Sequence, residues 1–159
     1  MSKFQITNSK LQKGFTLVEL LLVMGIMSIL FTTLVIAVNP VRQFAKARDT
    51  KRETDLYAIL SAVNQYQSEH SGNLPDTDGD PDTSNFPTTL TCIGTDVGCF
   101  DLGGAGDTGE TIAPYYLAEM PKDPKTGTDG NTEYLIQVNS FNRLVASSSG
   151  ETKVITVTR

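Results

Sequence analysis

The chain has 159 residues, which is enough for one domain and an N-terminal anchor but not for two domains. Three lysines precede Gly14, so the part from Phe15 onward has 10 basic and 18 acidic residues and a net charge of −8. This balance argues against a large nucleic-acid surface, which needs a basic face. The sequence has one histidine, no nucleophile–base pair and no metal cluster, so an anchored enzyme is the least favoured class of function.

The first 14 residues are mostly polar, and an apolar segment begins abruptly at Phe15. Residues 15–38 contain one charge, Glu19, and as a helix they would be about 36 Å long, enough to cross a membrane. In a secretory signal the cleavage site follows the apolar segment, whereas here the candidate site, Gly14-Phe15, precedes it. The order of parts predicts a leader at 1–14 and a transmembrane helix at 15–38 that stays on the mature chain.

Glu19 is a carboxylate within this span, where charges are costly and usually paired. One hypothesis is that it lies near the interface and the positive end of the helix dipole, and only snorkels to the surface. The other hypothesis starts from cleavage after Gly14, which frees an α-amino group on Phe15 at the same depth. Glu19 of one subunit would then pair with the Phe15 amine of a neighbour and fix the register of parallel helices.

Residues 39–72 continue the helix with an amphipathic pattern. Asn39-Pro40 predicts a kink or a brief interruption, because proline removes a backbone donor. Gly72 and Pro75 predict the end of the helix. The apolar residues in between recur at helical spacing: Leu56, Ile59, Leu60, Val63 and Tyr66. His70, near the helix end, is expected to be a surface residue rather than a ligand.

Residues 73–159 are expected to form a globular head outside the cytoplasm, with an irregular loop at 76–110. The loop contains four alternating aspartates that suggest a hard-cation site for calcium, with a solvated acidic loop as the alternative: Asp76, Asp78, Asp80 and Asp82. Cys92 and Cys99 are expected to form a disulfide in a segment that otherwise lacks core residues; two free thiols are the alternative.

The C-terminal part of the head predicts a short helix and a small sheet. The helix is expected at 113–119, before Pro121. Alternating apolar residues and polar turns predict three strands within 132–158, at 133–138, 143–147 and 153–158. Short connections favour an antiparallel meander, with one face on the apolar helix stripe. The predicted fold class is therefore α+β: one long N-terminal helix packed on a small antiparallel sheet of about three strands.

The nine residues from Lys13 to Leu21 resemble the prepilin processing motif of type IV pilins and type II secretion pseudopilins. Residues 48–56 and 66–75 are similar to the amphipathic half of the pilin helix, and residues 116–127 resemble the segment that leads into the sheet of major pseudopilins. The resemblance implies a pilin-like fold, cleavage between Gly14 and Phe15 by a membrane-embedded prepilin peptidase, and N-methylation of Phe15. It also implies that Glu19 helps to recruit subunits to a growing filament.

The same resemblance implies the partners and the location. The chain would reside in membrane lipid as a single-pass inner-membrane protein with a cytoplasmic N-terminus. An inner-membrane assembly platform would then move it into a helical filament with copies of itself and other pilins. Against this orientation, five basic residues follow the span within residues 42–52 and three precede it. A minor pilin that binds a surface, a secreted substrate or DNA is the alternative function.

Overall fold

A computed structural model describes residues 14–79 and 84–159 of the chain. The chain divides into two compact units, one up to Pro40 and the other from Val41 to Arg159. The first unit contains helix α1, Leu17–Val38, which begins after the N-cap Thr16. It ends at Asn39, whose left-handed φ of 46° interrupts the helical backbone, as the Asn-Pro pair predicts.

Helix α2 spans Pro40–Glu69, with a proline in its first turn, where a missing N–H costs nothing. Its predicted apolar stripe is buried in the head: Leu56, Ile59, Leu60, Val63 and Tyr66. Beyond the helix, Gly72 adopts a positive φ of 94° and donates its N–H to the Gln67 carbonyl at 2.8 Å. This reversal satisfies a terminal carbonyl and directs the chain into the head.

Four strands form one antiparallel sheet in the order β1-β2-β3-β4: Thr91–Cys92, Tyr134–Val138, Leu144–Ser149 and Val154–Thr158. The meander of β2, β3 and β4 confirms the prediction. Tyr134 and Ile136 lie on the face that joins the α2 stripe in one core, and the Tyr134 hydroxyl donates to Asp55 Oδ2 at 2.8 Å. Strand β1 comes from the region that was predicted to be irregular.

The prediction that the region around the cysteines lacks core residues is wrong. Six of its apolar side chains are buried in the same core as the α2 stripe and the sheet: Phe86, Ile93, Phe100, Leu102, Ala105 and Ile112. The described part of this region contains no α-helix, and backbone hydrogen bonds position several of these residues. Ile93, for example, donates its N–H to the Tyr134 carbonyl and accepts from the Thr132 N–H.

The prediction of a short helix at 113–119 is also wrong. The structure has one wide turn over Ile112–Tyr116, closed by the Leu117 N–H on the Ile112 carbonyl at 2.9 Å. Ala113 inside this turn is extended, with φ −116° and ψ 130°, because it precedes Pro114 and that position disfavours the helical conformation.

A buried ionic cluster, formed by Arg52, Asp49 and Asp123, joins α2 to two distant loops. Arg52 is 2% exposed; its Nη1 donates to Asp49 at 2.8 Å, and its Nε and Nη2 bind both oxygens of Asp123. Asp49 also accepts the N–H groups of Glu151 and Thr152 in the β3–β4 turn, each at 2.8 Å. Arg52 therefore binds both carboxylates, the two N–H groups of the turn stabilise Asp49 further, and these bonds fix where the loops meet the helix.

The same hydrogen bonds set the ionisation of the two buried carboxylates. Burial by itself raises the pKa of Asp49, but hydrogen bonds from Thr152, the Glu151 N–H and Arg52 outweigh it and lower the pKa to about 2. Burial also opposes ionisation of Asp123, whose pKa is lowered to about 2 chiefly by the Arg52 guanidinium. Both groups are therefore ionised in the folded head at neutral pH.

Candidate functional site

The candidate processing and assembly site lies at the start of α1. Gly14 and Phe15 precede the helix, both are exposed, and the Phe15 side chain is 88% accessible. The peptide bond between them lies one residue before the N-cap Thr16, so it is outside the helical hydrogen-bond ladder. The preceding leader residues up to Lys13 lie outside the described part of the chain.

Glu19 and Thr16 form a reciprocal capping box. The Glu19 N–H donates to Thr16 Oγ1 at 3.2 Å, and the Thr16 N–H donates to Glu19 Oε2 at 2.9 Å. The Thr16 hydroxyl also donates to the same Oε2 at 2.8 Å. The carboxylate therefore folds back to the first turn, where the helix dipole favours negative charge.

The partnership with Thr16 was missed in the sequence, although its signal is present. A threonine followed three residues later by glutamate at the start of an apolar run is the pattern of a capping box. The structure thus brings Phe15, Thr16 and Glu19 together within one turn. Within the described residues, the hydrogen bonds to the Glu19 carboxylate all use Oε2, and Oε1 accepts none.

Helix α1 is apolar on every side and none of its residues is buried. Its 22 residues would be about 33 Å long, so by length and composition it qualifies as a candidate membrane span. Its polar side chains are satisfied within the helix: Ser28, Thr32 and Thr33 donate to the carbonyls of Met24, Ser28 and Leu30 at 2.7–2.9 Å. Apart from the charged Glu19, the helix therefore presents no unsatisfied polar side chain to lipid.

Cys92 and Cys99 form a disulfide in the structure, with their Cα atoms 4.6 Å apart. The ring is held further by the Phe100 N–H on the Cys92 carbonyl at 2.7 Å and the Cys99 N–H on the Asp96 carbonyl at 3.0 Å. Because Ile93 inside the ring is fully buried, the bridge fastens a core residue beside β1. Its role in the geometry is structural.

The calcium hypothesis stays a prediction. Asp80 and Asp82 lie outside the described residues. Of the other two aspartates, Asp76 accepts the Gly79 N–H on Oδ1 at 3.2 Å in a local turn. Within residues 14–79 and 84–159, no group of three or more His, Cys, Asp or Glu side chains is arranged to hold a metal ion.

His70, expected to be a surface residue rather than a ligand, is partly buried in the structure. Its ring stacks on Tyr66 with centroids 3.9 Å apart, and its side chain is 15% exposed. Nε2 lies 3.3 Å from a Glu110 oxygen and 3.4 Å from an Asp107 oxygen, while Nδ1 lies 2.9 Å from the Tyr66 carbonyl. His70 therefore connects the end of α2 to the segment around residues 105–112.

Comparison with known proteins gives one match. Residues 9–35 match the family model of the prokaryotic N-terminal methylation motif, the leader motif of type IV pilins and pseudopilins. The match covers Gly14, Phe15, Glu19 and most of α1. No curated protein and no solved structure matches the chain. The α+β architecture, a long apolar N-terminal helix with an antiparallel sheet, is consistent with a pilin-like fold.

Proposed function

We propose that the chain is a structural subunit, a pilin or pseudopilin, that polymerises into a type IV pilus-like or type II secretion filament. Residues 1–14 would be removed and Phe15 N-methylated before assembly. The observation that carries the proposal is the methylation motif at 9–35, in which the Gly14–Phe15 bond stands exposed directly before α1. The proposed role is assembly, and the chain itself would be the substrate of a peptidase.

The position of the Gly14–Phe15 bond suits cleavage by a prepilin peptidase. A protease needs its substrate backbone extended and free of internal hydrogen bonds, and this bond lies outside α1. Gly14 also has open space around it, since a Cβ placed there would meet nothing within 4 Å. Cleavage would therefore leave α1 intact and place a new amine on Phe15, next to the Thr16–Glu19 capping box.

Glu19 has the geometry to accept that amine from a neighbouring subunit. Its Oε2 accepts hydrogen bonds from the N–H and hydroxyl of Thr16 in the same chain, which hold the carboxylate at the first turn. Oε1 offers a second acceptor, and an amine–carboxylate pair is strong where water is excluded. Each subunit would supply one amine and one carboxylate, so the same contact would repeat along a filament.

The proposed route starts in the inner membrane, with α1 in lipid, the N-terminus in the cytoplasm and the head outside. An ATPase-driven assembly platform would then move the subunit into the filament. The five basic residues after the span oppose this orientation by count alone. Arg48 and Arg52 form ion pairs with Glu151 and Asp123 of the head, and Lys51 pairs with Asp55 of the same helix. These pairs give the three residues a structural use that does not depend on orientation.

The mass of the mature chain tests the processing step. Expression beside a prepilin peptidase should yield residues 15–159 plus one methyl group, with the methyl on the Phe15 amine by fragmentation. Expression without the peptidase should leave residues 1–14 attached. An intact leader in both, or cleavage after the apolar segment, would contradict the proposal.

Three substitutions test the role of Glu19. Glu19→Ala removes both the cap and the charge, whereas Glu19→Gln keeps an oxygen acceptor for the capping box and removes only the charge. We expect both to be processed normally and to give little filament, while Glu119→Ala, an exposed carboxylate of the head, behaves like the wild type. Normal filament yield from Glu19→Ala would favour the snorkelling hypothesis instead.

Copy number distinguishes a main subunit from a minor one. Quantitative mass spectrometry of purified filaments should find this chain as the dominant component. A small, constant share among other pilins would instead support the minor pilin that binds a surface, a secreted substrate or DNA.

A further inference from the structure

Strand β4 forms one edge of the sheet and turns backbone hydrogen-bonding groups outward. Strand β4 is an outer strand with β3 as its neighbour, and the Arg159 N–H donates to the Leu144 carbonyl at 2.9 Å. In an antiparallel pair this register turns the N–H and C=O groups of alternate residues outward, here those of Val154, Thr156 and Thr158. We call residues Lys153–Thr158 the β4 edge.

The β4 edge lies in a basic part of an otherwise acidic molecule. Residues 134–159 contain three basic side chains, Arg143, Lys153 and Arg159, and one acidic side chain, Glu151. Glu151 already binds Arg48 and Lys125. In the described part of the chain, Arg143 and Lys153 form no ion pair, although Lys153 lines a groove together with Lys46, Asp49 and Glu53.

The segment associated with the opposite edge is strongly acidic. Residues 76–133 contain 12 acidic and two basic side chains. Within this segment, Thr95–Gly98 forms the tip of the disulfide ring, which we call the ring tip. The tip is held by the Thr95 N–H on the Asp129 carbonyl at 3.2 Å and the Asp96 N–H on the Gly130 carbonyl at 2.9 Å. No ion pair involves Asp96 among the described residues.

The ring tip and the β4 edge are complementary in charge and in apolar character. Val97 at the tip is fully exposed beside Asp96, and Val154 at the edge is 71% exposed beside Lys153. β1 and β4 are separated by two strands, so one molecule does not satisfy its own tip with its own edge. A second copy of the chain carries the missing complement at both places.

We propose that the ring tip of one copy docks on the β4 edge of a second copy, with Asp96 against Lys153 and Val97 against Val154. The contact joins two different surfaces, so it is heterologous and repeats from copy to copy without closing. It rests on the proposed filament function and assigns to the head a contact of its own. Because its charges lie at an exposed rim, it is expected to be sensitive to salt.

Zero-length carbodiimide coupling of assembled filaments tests the contact, because it links an amine to a carboxylate that touches it. The wild-type chain should give a ladder of dimers, trimers and higher oligomers, with Lys153 joined to Asp96 in the linking peptide. The proposed Phe15–Glu19 contact between subunits would couple as well, so the readout is the Lys153–Asp96 linking peptide rather than the ladder alone. Lys153→Arg keeps the charge but removes the amine and should lose that peptide, as should Asp96→Asn. Lys46→Arg is the matched control and should keep it.

Exchange of the two charged residues is the second test of the contact. Lys153→Asp should reduce filament yield several-fold at low salt, and adding Asp96→Lys to the same chain should restore both the yield and the ladder, with the linked positions exchanged. The intrachain pair of Lys122 and Asp129, 2.7 Å apart, reports in every sample that the reagent reacted.

The outcomes separate this proposal from the filament function. Abundant filaments without a Lys153–Asp96 link overturn the contact and leave the filament function standing. A link that joins Asp96 to a neighbouring copy in Lys153→Arg, or a link from Lys153 to another protein, also overturns the contact. A chain that is not processed and forms no filament overturns the proposed function and this contact with it.

Discussion

Replacement of Arg52 by methionine is expected to be the most destabilising single change in the head. Methionine keeps most of the aliphatic volume but removes the guanidinium that binds both Asp49 and Asp123, whose side chains are 5% and 3% exposed. Removal of one partner of a buried ion pair leaves an uncompensated charge and costs about 3–5 kcal/mol. With a urea m-value of about 2 kcal/mol/M, the unfolding midpoint should fall by about 2 M.

Lys51→Met is the matched control, because Lys51 is the neighbouring residue on the same helix and pairs with Asp55 while its side chain is 56% exposed. An exposed pair of this kind contributes about 1 kcal/mol or less. Urea unfolding of the full chain in detergent, followed by near-ultraviolet circular dichroism of the packed tyrosines, measures both variants. Equal midpoints for Arg52→Met and Lys51→Met would refute the role given to the buried cluster.

Three further predictions concern the head. Ser148→Ala should leave stability unchanged or raise it by up to about 1 kcal/mol, because the buried Ser148 hydroxyl has no hydrogen-bond partner in the described structure; a clear loss in urea unfolding would contradict this. Asp49 and Asp123 have folded pKa values of about 2, below their ordinary 3.8, so the stability they contribute is complete above pH 4 and is lost as the pH falls towards 2. A urea midpoint that does not change over that pH range would contradict this prediction. Reduction of the Cys92–Cys99 bridge should lower the free energy of unfolding by about 2–3 kcal/mol. A urea midpoint unchanged by dithiothreitol would contradict this prediction.

Periodicity explains which parts of the fold were predictable. The α2 stripe repeats every three to four residues and the β2 and β4 strands alternate every two, so each pattern names both the element and its buried face. The β3 strand is less regular in composition, with Ser147, Ser148 and Ser149 at its end. It is predicted by the short polar turns on either side of it. These elements form the sheet and helix that the sequence predicts.

The region from residue 84 to 112 has no pattern that identifies its structure. Phe86, Ile93 and Phe100 recur every seven residues, yet no helix forms there; Ile93 is held by backbone hydrogen bonds with Tyr134 and Thr132. The ionic cluster was equally hidden, since Arg52 and Asp123 are 71 residues apart in the chain. Residues this far apart become neighbours through the fold of the whole head, which no local spacing encodes.

The candidate site was predictable to a greater extent, because its parts are contiguous. Gly14, Phe15 and Glu19 follow from the order of leader and span. Thr16 follows from the capping-box spacing, although only the structure drew attention to it. The geometry at the start of a helix is set by a few consecutive residues, and it can therefore be predicted from the local sequence.

The division into two units separates the residues of the proposed assembly from those that stabilise the head. α1 buries none of its side chains within the chain, whereas the head encloses its own core and binds its buried carboxylates through Arg52. A change at Glu19 should therefore alter filament yield without moving the unfolding midpoint of the head. Arg52→Met should do the reverse at temperatures where the head stays folded. If Glu19→Ala lowered the midpoint as well, the helix and the head would share stabilising contacts, and the anchor could not act as an independent assembly element.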